Sequence, residues 1–553
     1  MQNRMLRLLF LFLFASTLIT SCKKANKLGK QIPATASFVL LINGEALNSK
    51  LSWEDIKQNQ LFTDMASDTS VSQYIKEAME NPENTGIDVK DDIVFYIQQD
   101  SIGGYAVLQG KIKDESKFQS FYTNVTKGNV VAGKKSDKSL SNDRMIATWD
   151  KDRFAIVFDV PELNYAKARQ MPFPGGPDTL DVAPVMPPPV KNRDMAFAGN
   201  AAFHLDEDNS LGKDEKFTEL LAQKGDVHFW MNSERLTGDV GMGALDMLSI
   251  GKLYKGVFFT GTATFLDGKI EMDTKTYAGK ELTDLFKKYE SKNIDEALLK
   301  RLPSKNVSMV AALNYPPLGL FALVKLAGLE GFANMGASSL GFTLDDFVKA
   351  NKGDLLLSVS GLRADSGKVR SDIFFSTSIN DKEAFNKLME AGKKMMTRPG
   401  TDSLSQAMFQ NSNGNYFAIG TNKADIDAFF KNDNNNNAAS LPDNFTGNPI
   451  AVFVNFQNVF NSMTPRPADS LQVEFHTASV RMWDNMFVRG GQFKDGGIIQ
   501  KVEVNLVDKK MNSLKQLNNY FGVLGAINEK NKRMNPWRDS TRVMTDTTFA
   551  RMN

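Results

Sequence analysis

The chain has 553 residues, of which 42% are hydrophobic and 24% charged, with 66 Lys and Arg, 64 Asp and Glu, and a formal net charge of +2. This near balance argues against a nucleic-acid binder, which normally carries a basic excess. The single cysteine excludes a disulfide framework, so apolar burial must stabilise the fold, and the length provides material for more than one core.

The first element in chain order is an export signal at residues 1–21. Arg4 and Arg7 precede an apolar run at 8–15, which has the order of a secretory signal and is too short for a comfortable membrane span. The segment then reads LITSC at 18–22, which resembles the lipobox of bacterial lipoproteins. The sequence therefore predicts a lipidated Cys22 as the first mature residue. An ordinary signal peptide with an incidental cysteine is the alternative, which the absence of any other cysteine disfavours.

The segment 22–31 is predicted to be a solvated tether between the lipid and the first folded unit. It contains four lysines and one large apolar residue, Leu28. Because residues 1–21 contain two of the 66 basic residues, the mature chain has 64 Lys and Arg against 64 Asp and Glu, a formal charge of zero. No later apolar run reaches the ~18 residues that a spanning helix needs.

An internal repeat dominates the rest of the chain. Residues 32–43 resemble 302–314, and 111–125 resemble 378–392. Weaker matches follow in the same order, so the sequence predicts a two-fold duplication A-B-A′-B′. The predicted boundaries are unit A 32–170, a Pro-rich linker 171–193, unit B 194–301, unit A′ 302–431, an Asn-rich linker 432–448, unit B′ 449–530 and a polar C-terminal tail 531–553.

We expect an α+β fold in which antiparallel sheets are packed by helices. The gaps between strands are too short for parallel crossovers, and the turns at 267–268 and 495–497 are strong hairpin signals. Asp114 and Asp381 are predicted N-caps of two helices that turn Phe118 and Phe385 inward. Both linkers are expected to be exposed connectors, because proline and polar runs cannot continue a strand or helix.

The 39 phenylalanines are spaced as core residues on predicted strands and helices, which favours a structural role. The alternative is an apolar cavity between A and B that takes a lipid tail. Sequence alone does not separate these two interpretations.

Metal chemistry has little support in the sequence. The three histidines, His204, His228 and His476, lie in no metal-binding spacing. Residues 206–210 resemble the start of a calcium loop, but Leu211 stands where the turn glycine is needed and Phe217 where the bidentate Glu is needed. We therefore predict no metal site and no cofactor.

Catalytic motifs are equally incomplete. Gly241 and Gly243 lack the third glycine of a dinucleotide loop, and the pair Ser210 and Lys213 lacks the partner motifs of a serine–lysine enzyme. The carboxylate pairs at 91–92 and 345–346 are neighbours in sequence, so their side chains point apart rather than across a substrate. We expect these carboxylates to stand at the start of a strand or helix, and we expect no catalytic residues.

The lipobox, the Ile/Leu-Pro opening of each repeat and the total length together resemble a family of Bacteroides-type lipoproteins, the domain of unknown function 4836 family. The resemblance covers most of the mature chain and implies location and architecture without an activity. A separate pattern, Asp-Ser/Thr followed by an aliphatic residue or Thr, resembles the O-glycosylation site of Bacteroides-type exported proteins. The candidate positions here are Ser101, Thr179, Ser403, Ser470, Ser540 and Thr547.

Surface lipoproteins of these bacteria commonly carry an acidic cluster after the cysteine, whereas this chain carries lysines. We therefore expect a lipid anchor on the periplasmic side of the outer membrane. The leading functional hypothesis is a non-catalytic scaffold or binding protein whose partner is an envelope protein, a glycan or a lipid. The second hypothesis is a carrier of an apolar ligand, and the third is a carboxylate-based enzyme.

Overall fold

The computed structural model describes residues 28–67, 71–100, 103–133, 137–142, 144–160, 193–237, 249, 251–365, 368–396, 408–431, 437–463 and 470–534. The predicted signal peptide, Cys22 and most of the Pro-rich linker and C-terminal tail lie outside these ranges. Among the described helices, none is both long and apolar enough to cross a membrane.

Eighteen strands lie in the described residues, and all of them pair antiparallel within one sheet. They are β1 (Phe38–Ile42), β2 (Ile93–Gln99), β3 (Gly104–Lys111), β4 (Val131–Ala132), β5 (Lys138–Ser141), β6 (Met145–Trp149), β7 (Arg153–Val160), β8 (Val227–Asn232), β9 (Phe258–Leu266), β10 (Lys269–Tyr277), β11 (Val307–Asn314), β12 (Asn351–Asp365), β13 (Lys368–Ile379), β14 (Phe409–Ser412), β15 (Tyr416–Gly420), β16 (Ile450–Asn455), β17 (Trp483–Lys494) and β18 (Gly497–Leu506).

The same ranges contain nineteen α-helices. They are α1 (Gly44–Lys50), α2 (Trp53–Lys57), α3 (Gln60–Ser67), α4 (Gln73–Glu80), α5 (Glu115–Thr126), α6 (Met195–Phe203), α7 (Glu215–Ala222), α8 (Ser233–Thr237), α9 (Gly251–Tyr254), α10 (Lys280–Lys288), α11 (Glu296–Leu299), α12 (Pro317–Leu326), α13 (Glu330–Leu340), α14 (Leu344–Ala350), α15 (Lys382–Met396), α16 (Lys423–Lys431), α17 (Phe456–Ser462), α18 (Ser470–Met482) and α19 (Ser513–Met534). Four short 3-10 helices lie at Pro82–Thr85, Glu207–Asn209, Leu211–Lys213 and Asn437–Ser440. The expectation of a mixed fold with antiparallel strands and packing helices is confirmed.

The strand pairings give the order β4-β5-β6-β7-β3-β2-β1-β8-β9-β10-β18-β17-β16-β11-β12-β13-β15-β14. The centre of the sheet is the pair β10 and β18, which runs from Lys269 opposite Asn505 to Tyr277 opposite Gly497. β1 pairs with β8, and β11 pairs with β16, so each predicted A unit shares its sheet with the following B unit. The described strands therefore form one sheet where separate sheets were expected.

Two hydrophobic cores lie on the same face of this sheet, which we call the core face. In the first half, Val39, Val94 and Trp230 pack with residues of α6 and α7. In the second half, Val310, Leu356 and Phe453 pack with residues of α11 and α16. Successive side chains of a strand point to opposite faces, so the intervening residues of these strands point away from both cores.

The opposite face is covered near the two outer ends of the sheet. α5 places Phe118 against Phe154 and Trp149, and α15 places Phe385 against Phe417. Both predicted inward phenylalanines are thus buried, and both predicted caps are confirmed. Asp114 accepts from the backbone N–H of Lys117 at 3.1 Å, and Asp381 accepts from that of Ala384 at 2.9 Å.

The predicted hairpin turns are confirmed, whereas the described part of the Asn-rich linker differs from the prediction. β9 and β10 form a hairpin with Gly268 at φ 66°, and β17 and β18 form another with Asp495 at 49° and Gly496 at 81°, as predicted. The described part of the Asn-rich linker differs from an exposed connector, because Leu441 and Phe445 are buried in the second core. These two side chains attach residues 437–445 to the second half of the sheet.

Candidate functional site

The central ten strands, from β2 to β12, carry an apolar surface on the side opposite the cores. The strand registers place its side chains on one face, because residues directly opposite each other in a ladder point the same way. All of these side chains are partly buried, and within the described chain none is a buried member of a hydrophobic core. We call this surface the apolar face. It consists of Phe38, Leu40, Ile42, Ile93, Phe95, Ile97, Val227, Phe229, Met231, Phe259, Ala263, Phe265, Ile270, Met272, Met309, Ala311, Leu313, Leu355, Leu357, Val359, Ile450, Val452, Val454, Met486, Val488, Ile498, Val502 and Val504.

The size of the apolar face sets it apart from ordinary surface hydrophobicity. Ten strands at a spacing of about 4.8 Å span about 45 Å across the sheet. Monomeric soluble proteins rarely expose contiguous apolar patches beyond a few hundred Å², and larger ones commonly mark binding surfaces. The apolar face is therefore the first candidate site of the molecule.

α10 and α19 pack at opposite ends of β17 on this side of the sheet, and α17 also contacts β17, with Phe456 6.3 Å from Trp483, ring centre to ring centre. Phe286 of α10 lies 6.2 Å from Phe493, ring centre to ring centre, near the end of β17. Tyr520 of α19 lies 5.6 Å from Trp483, at the start of the same strand. Phe493 is opposite Ile498 and Trp483 is opposite Leu506, so both rings project from the side of the sheet that carries the apolar face.

Both α10 and α19 also contact helices of the other half. α10 follows β10 of the first half and packs against α12 of the second half. α19 follows β18 of the second half and packs against α3 of the first, where a Cβ added at Gly525 would lie 2.8 Å from Leu61 Cγ. Asn59 Nδ2 also donates to the carbonyl oxygen of Asn518 at 2.6 Å. The two halves are therefore joined by contacts of α10 and α19 as well as by the strand pair β10–β18.

A cavity of about 420 Å³ lies between α10 and α12. Its walls are almost entirely apolar, and one wall residue, Leu355, belongs to the apolar face. This volume lies within the range of ~300–1,000 Å³ that is typical of small-molecule pockets. The cavity is lined by Leu285, Phe286, Tyr289, Ser291, Tyr315, Pro316, Gly319, Leu320, Leu323 and Leu355.

The core face of the same central strands is polar. A second cavity of about 390 Å³ lies there, with Lys275, Arg489 and Lys501 among its lining residues. Lys501 pairs with Glu271 at 3.2 Å and Arg489 with Glu503 at 2.8 Å. Hydrogen bonds from Lys269 and Lys501 lower the pKa of Glu271, with the Lys269 bond as the larger cause. Because its cations are paired with carboxylates, this cavity has balanced charge and its ion pairs link neighbouring strands.

The three histidines lie apart from one another and serve local contacts. His204 Nε2 is 3.2 Å from Asp137 Oδ2, His228 Nε2 is 2.9 Å from the carbonyl oxygen of Gln223, and His476 Nε2 is 2.7 Å from that of Phe460. In the part of the chain that the structure describes, no group of three or more His, Cys, Asp or Glu side chains could hold a metal ion.

The acidic segment that resembles a calcium loop forms a turn instead. Asp206 Oδ1 accepts from the backbone N–H of Asp208 at 3.1 Å and begins a 3-10 helix. Ser210 donates to the carbonyl oxygen of Glu207 at 2.7 Å, while Lys213 pairs with Asp208 at 3.1 Å. The serine and lysine of the candidate pair therefore engage different partners.

The two carboxylate pairs lie at the start of a strand and of a helix, as predicted. Asp92 immediately precedes β2, and Asp346 lies in the first turn of α14 as half of a capping box with Thr343. Lys387 donates to Asp346 at 2.7 Å. This bond, followed by those from Thr343, lowers the pKa of Asp346 to about 2.

Of the modification sites, only Ser470 falls within the described residues, where it is exposed and begins α18. Cys22, Ser101, Thr179, Ser403, Ser540 and Thr547 lie outside them. These lipidation and glycosylation sites stay predictions.

The apolar face itself was not identified from the sequence, although a signal for it exists. β1 reads FVLLI and β16 reads IAVFV, so both are apolar on both faces. Such continuous runs are typical of strands that are covered on both sides. In the described chain, a buried core covers β1 and β16 on the core face alone. Their side chains on the apolar face therefore stay partly exposed.

No protein-family model matches this chain, and no curated protein matches it. Two solved structures, crystal forms IV and III of TP0453, align with 48% of this chain and with 87% and 88% of their own. Their TM-scores are 0.25 and 0.24 and their sequence identities are 7% and 6%. A likeness this weak carries no argument about fold or function.

Proposed function

We propose that this protein is a lipid-anchored, non-catalytic binder of apolar ligands, which it holds against the apolar face. The observation that carries the proposal is the continuous row of partly exposed apolar side chains across ten central strands. Covering apolar surface releases about 25 cal/mol per Å². A ligand that covers about 300 Å² would thus gain roughly 7 kcal/mol before the entropy of association is subtracted.

We also infer that the halves of the sheet arose by the duplication A-B-A′-B′. The order β10-β9-β8-β1-β2-β3-β7 on one side of the centre matches β18-β17-β16-β11-β12-β13-β15 on the other. The capped helices α5 and α15 occupy corresponding places between β3 and β4 and between β13 and β14. Under this proposal each half contributes one side of the apolar face.

The proposed location explains where an apolar ligand would come from. The lipobox at 18–22 and the resemblance to the domain of unknown function 4836 lipoproteins support an anchor at Cys22 on the periplasmic side of the outer membrane. Residues 22–27 span at most about 20 Å when extended. A bilayer would therefore lie within a short tether of the folded chain, which favours a ligand drawn from membrane lipids over a purely scaffolding role.

The experiment compares two neighbouring positions on β10 that point to opposite faces. Met272 lies on the apolar face, whereas Asp273 is exposed on the core face. The mature chain carrying Cys22→Ala is titrated with a fluorescent apolar probe such as 1-N-phenylnaphthylamine. Met272→Lys should weaken binding at least tenfold, because the bound probe would desolvate an ammonium group.

Asp273→Lys is the matched control, since it introduces the same side chain one residue away. It should change the affinity by less than twofold. Equal binding by both variants would contradict the proposal, as would the absence of probe binding by the parent chain. In the latter case a stoichiometric protein partner in gently extracted complexes would favour the scaffold hypothesis.

A further inference from the structure

The cavity between α10 and α12 is an apolar cavity at the margin of the apolar face. Leu285 and Phe286 come from α10, Leu320 and Leu323 from α12, and Leu355 from β12. Leu355 also belongs to the apolar face, so the cavity adjoins that face at a shared wall residue. We call this cavity the α10–α12 pocket.

Gly319 determines how closely α12 approaches the loop after α10. It is buried, and a Cβ at this position would lie 2.8 Å from both Pro316 Cγ and Tyr289 Cβ. The glycine therefore lets α12 pack directly against Tyr289, and both residues line the pocket. At about 420 Å³, the volume is at the small end of ligand pockets, which favours one hydrocarbon chain over two.

Three of the lining residues carry a hydroxyl group, Tyr289, Ser291 and Tyr315. Ser291 is exposed, and Tyr315 Oη donates to Asn351 Oδ1 at 3.0 Å. Lys288 is also exposed and its Nζ lies 5.2 Å from the ring centre of Tyr289, a lining residue. The segment 287–292 reads KKYESK, so three exposed lysines and one exposed glutamate flank the lining residues Tyr289 and Ser291 in sequence. The local charge favours an anionic head group.

We propose that the α10–α12 pocket holds the acyl chain of a single-chain amphiphile whose anionic head group lies beside Lys288. This proposal rests on the proposed function, because it names the ligand class of the same apolar surface. Fatty acids and anionic lysophospholipids share this chemistry. The acyl chain would lie against the apolar walls of the pocket. The head group would stay hydrated near the lysines, which avoids burying an unpaired charge.

The test measures binding of four probes below their micelle concentrations to the mature chain carrying Cys22→Ala. The probes are dodecanoate, a lysophosphatidic acid, the neutral dodecyl maltoside and the cationic dodecyltrimethylammonium. We expect one anionic amphiphile per chain, bound at least tenfold more tightly than the neutral and cationic probes. Comparison of dodecanoate with the lysophosphatidic acid distinguishes a fatty acid from a lysolipid ligand.

Two variants fill the pocket from α12. Leu323→Trp and Leu320→Trp should each weaken anionic binding at least tenfold, and Leu320 is 39% exposed, so its replacement is compatible with folding. Leu318→Trp is the matched control, because Leu318 is on the same helix, is 56% exposed and does not line the pocket. Charge reversal at Lys288 and Lys292 should weaken anionic probes and leave dodecyl maltoside binding unchanged.

The outcomes separate this inference from the proposed function. Unchanged binding in both tryptophan variants, together with weakened binding in Met272→Lys, would overturn the pocket assignment and leave the apolar face as the site. Equal affinity for anionic and neutral probes would overturn the head-group assignment. Failure of every probe to bind would contradict both proposals.

Discussion

Arg193 connects the end of the predicted Pro-rich linker to the first half of the sheet, and its replacement should be strongly destabilising. Its side chain is 4% exposed and donates to Asp159 at 2.9 Å and to Asp100 at 2.5 Å. It also donates to the carbonyl oxygen of Gly103 at 3.0 Å and lies 4.4 Å from the ring centre of Tyr105. Burial, followed by the charge of Asp100, raises the pKa of Tyr105 to about 12.

The expected loss of stability depends on how deeply the two carboxylates that Arg193 binds are buried. Breaking a buried ion pair typically costs ~3–5 kcal/mol because one charge is left without its partner. Asp159 is 13% exposed and fits that description, whereas Asp100 is 39% exposed and can be rehydrated. We therefore expect Arg193→Met to lower the free energy of unfolding by about 3 kcal/mol, near the lower end of that range.

Chemical denaturation followed by tryptophan fluorescence measures this effect. A loss of about 3 kcal/mol lowers the urea midpoint by this loss divided by the m-value, which for a chain of this size is larger than the ~1–3 kcal/mol per M of small proteins. Arg481→Met is the control, because Arg481 is exposed and surface replacements usually change stability by less than ~0.5 kcal/mol. If the two variants unfolded at the same midpoint, the buried ion-pair reasoning would be refuted.

Three further predictions concern acid stability, the outer core and the anchor. The pKa of Asp346 falls from 3.8 to about 2 on folding, so its carboxylate stabilises the fold above pH ~4 and this contribution is lost as pH falls toward 2. The melting temperature of Asp346→Asn should therefore be lower than that of the parent at pH 7, and the difference should vanish near pH 2. Phe118→Ala removes a fully buried ring and should cost ~3–5 kcal/mol in chemical denaturation, whereas a cost below ~1 kcal/mol would contradict the packing. Cys22→Ala should move the protein from the membrane to the soluble fraction without changing its circular dichroism, and retention in the membrane would refute the anchor.

Local features of the fold were predictable because their causes lie within a few residues. Asp114 and Asp381 each precede an amphipathic helix, and their side chains accept backbone N–H groups that the first turn leaves free. The turn at 495–497 places Asp495 and Gly496 at positive φ, which these residue types tolerate. Such signals locate helices and hairpins without any knowledge of the whole chain.

The joining of all strands into one sheet could not be predicted in this way. Lys501 and Glu271 are partners across the central pair of strands but are 230 residues apart in sequence. Only the ladder β10–β18 sets their register, and neither strand's sequence specifies its distant partner. Leu441 and Phe445 likewise lie among polar residues, so their burial depends on a surface formed elsewhere in the chain.

The candidate site was missed for a related physical reason. Apolar alternation predicts which residues share a face, but it does not reveal whether another element covers that face. Phe95 and Val94 are both apolar neighbours on β2, yet Val94 is buried in a core and Phe95 remains partly exposed. For this reason the sequence left a lipid-binding cavity and a purely structural role of the phenylalanines as alternatives.

Native mass spectrometry of the gently extracted, full-length protein tests the central claim most directly. The account predicts that the parent chain retains an apolar amphiphile, and that Met272→Lys retains much less of it than Asp273→Lys, whose added charge lies on the core face. A parent chain that is free of lipid and bound instead to a stoichiometric protein partner would contradict the account.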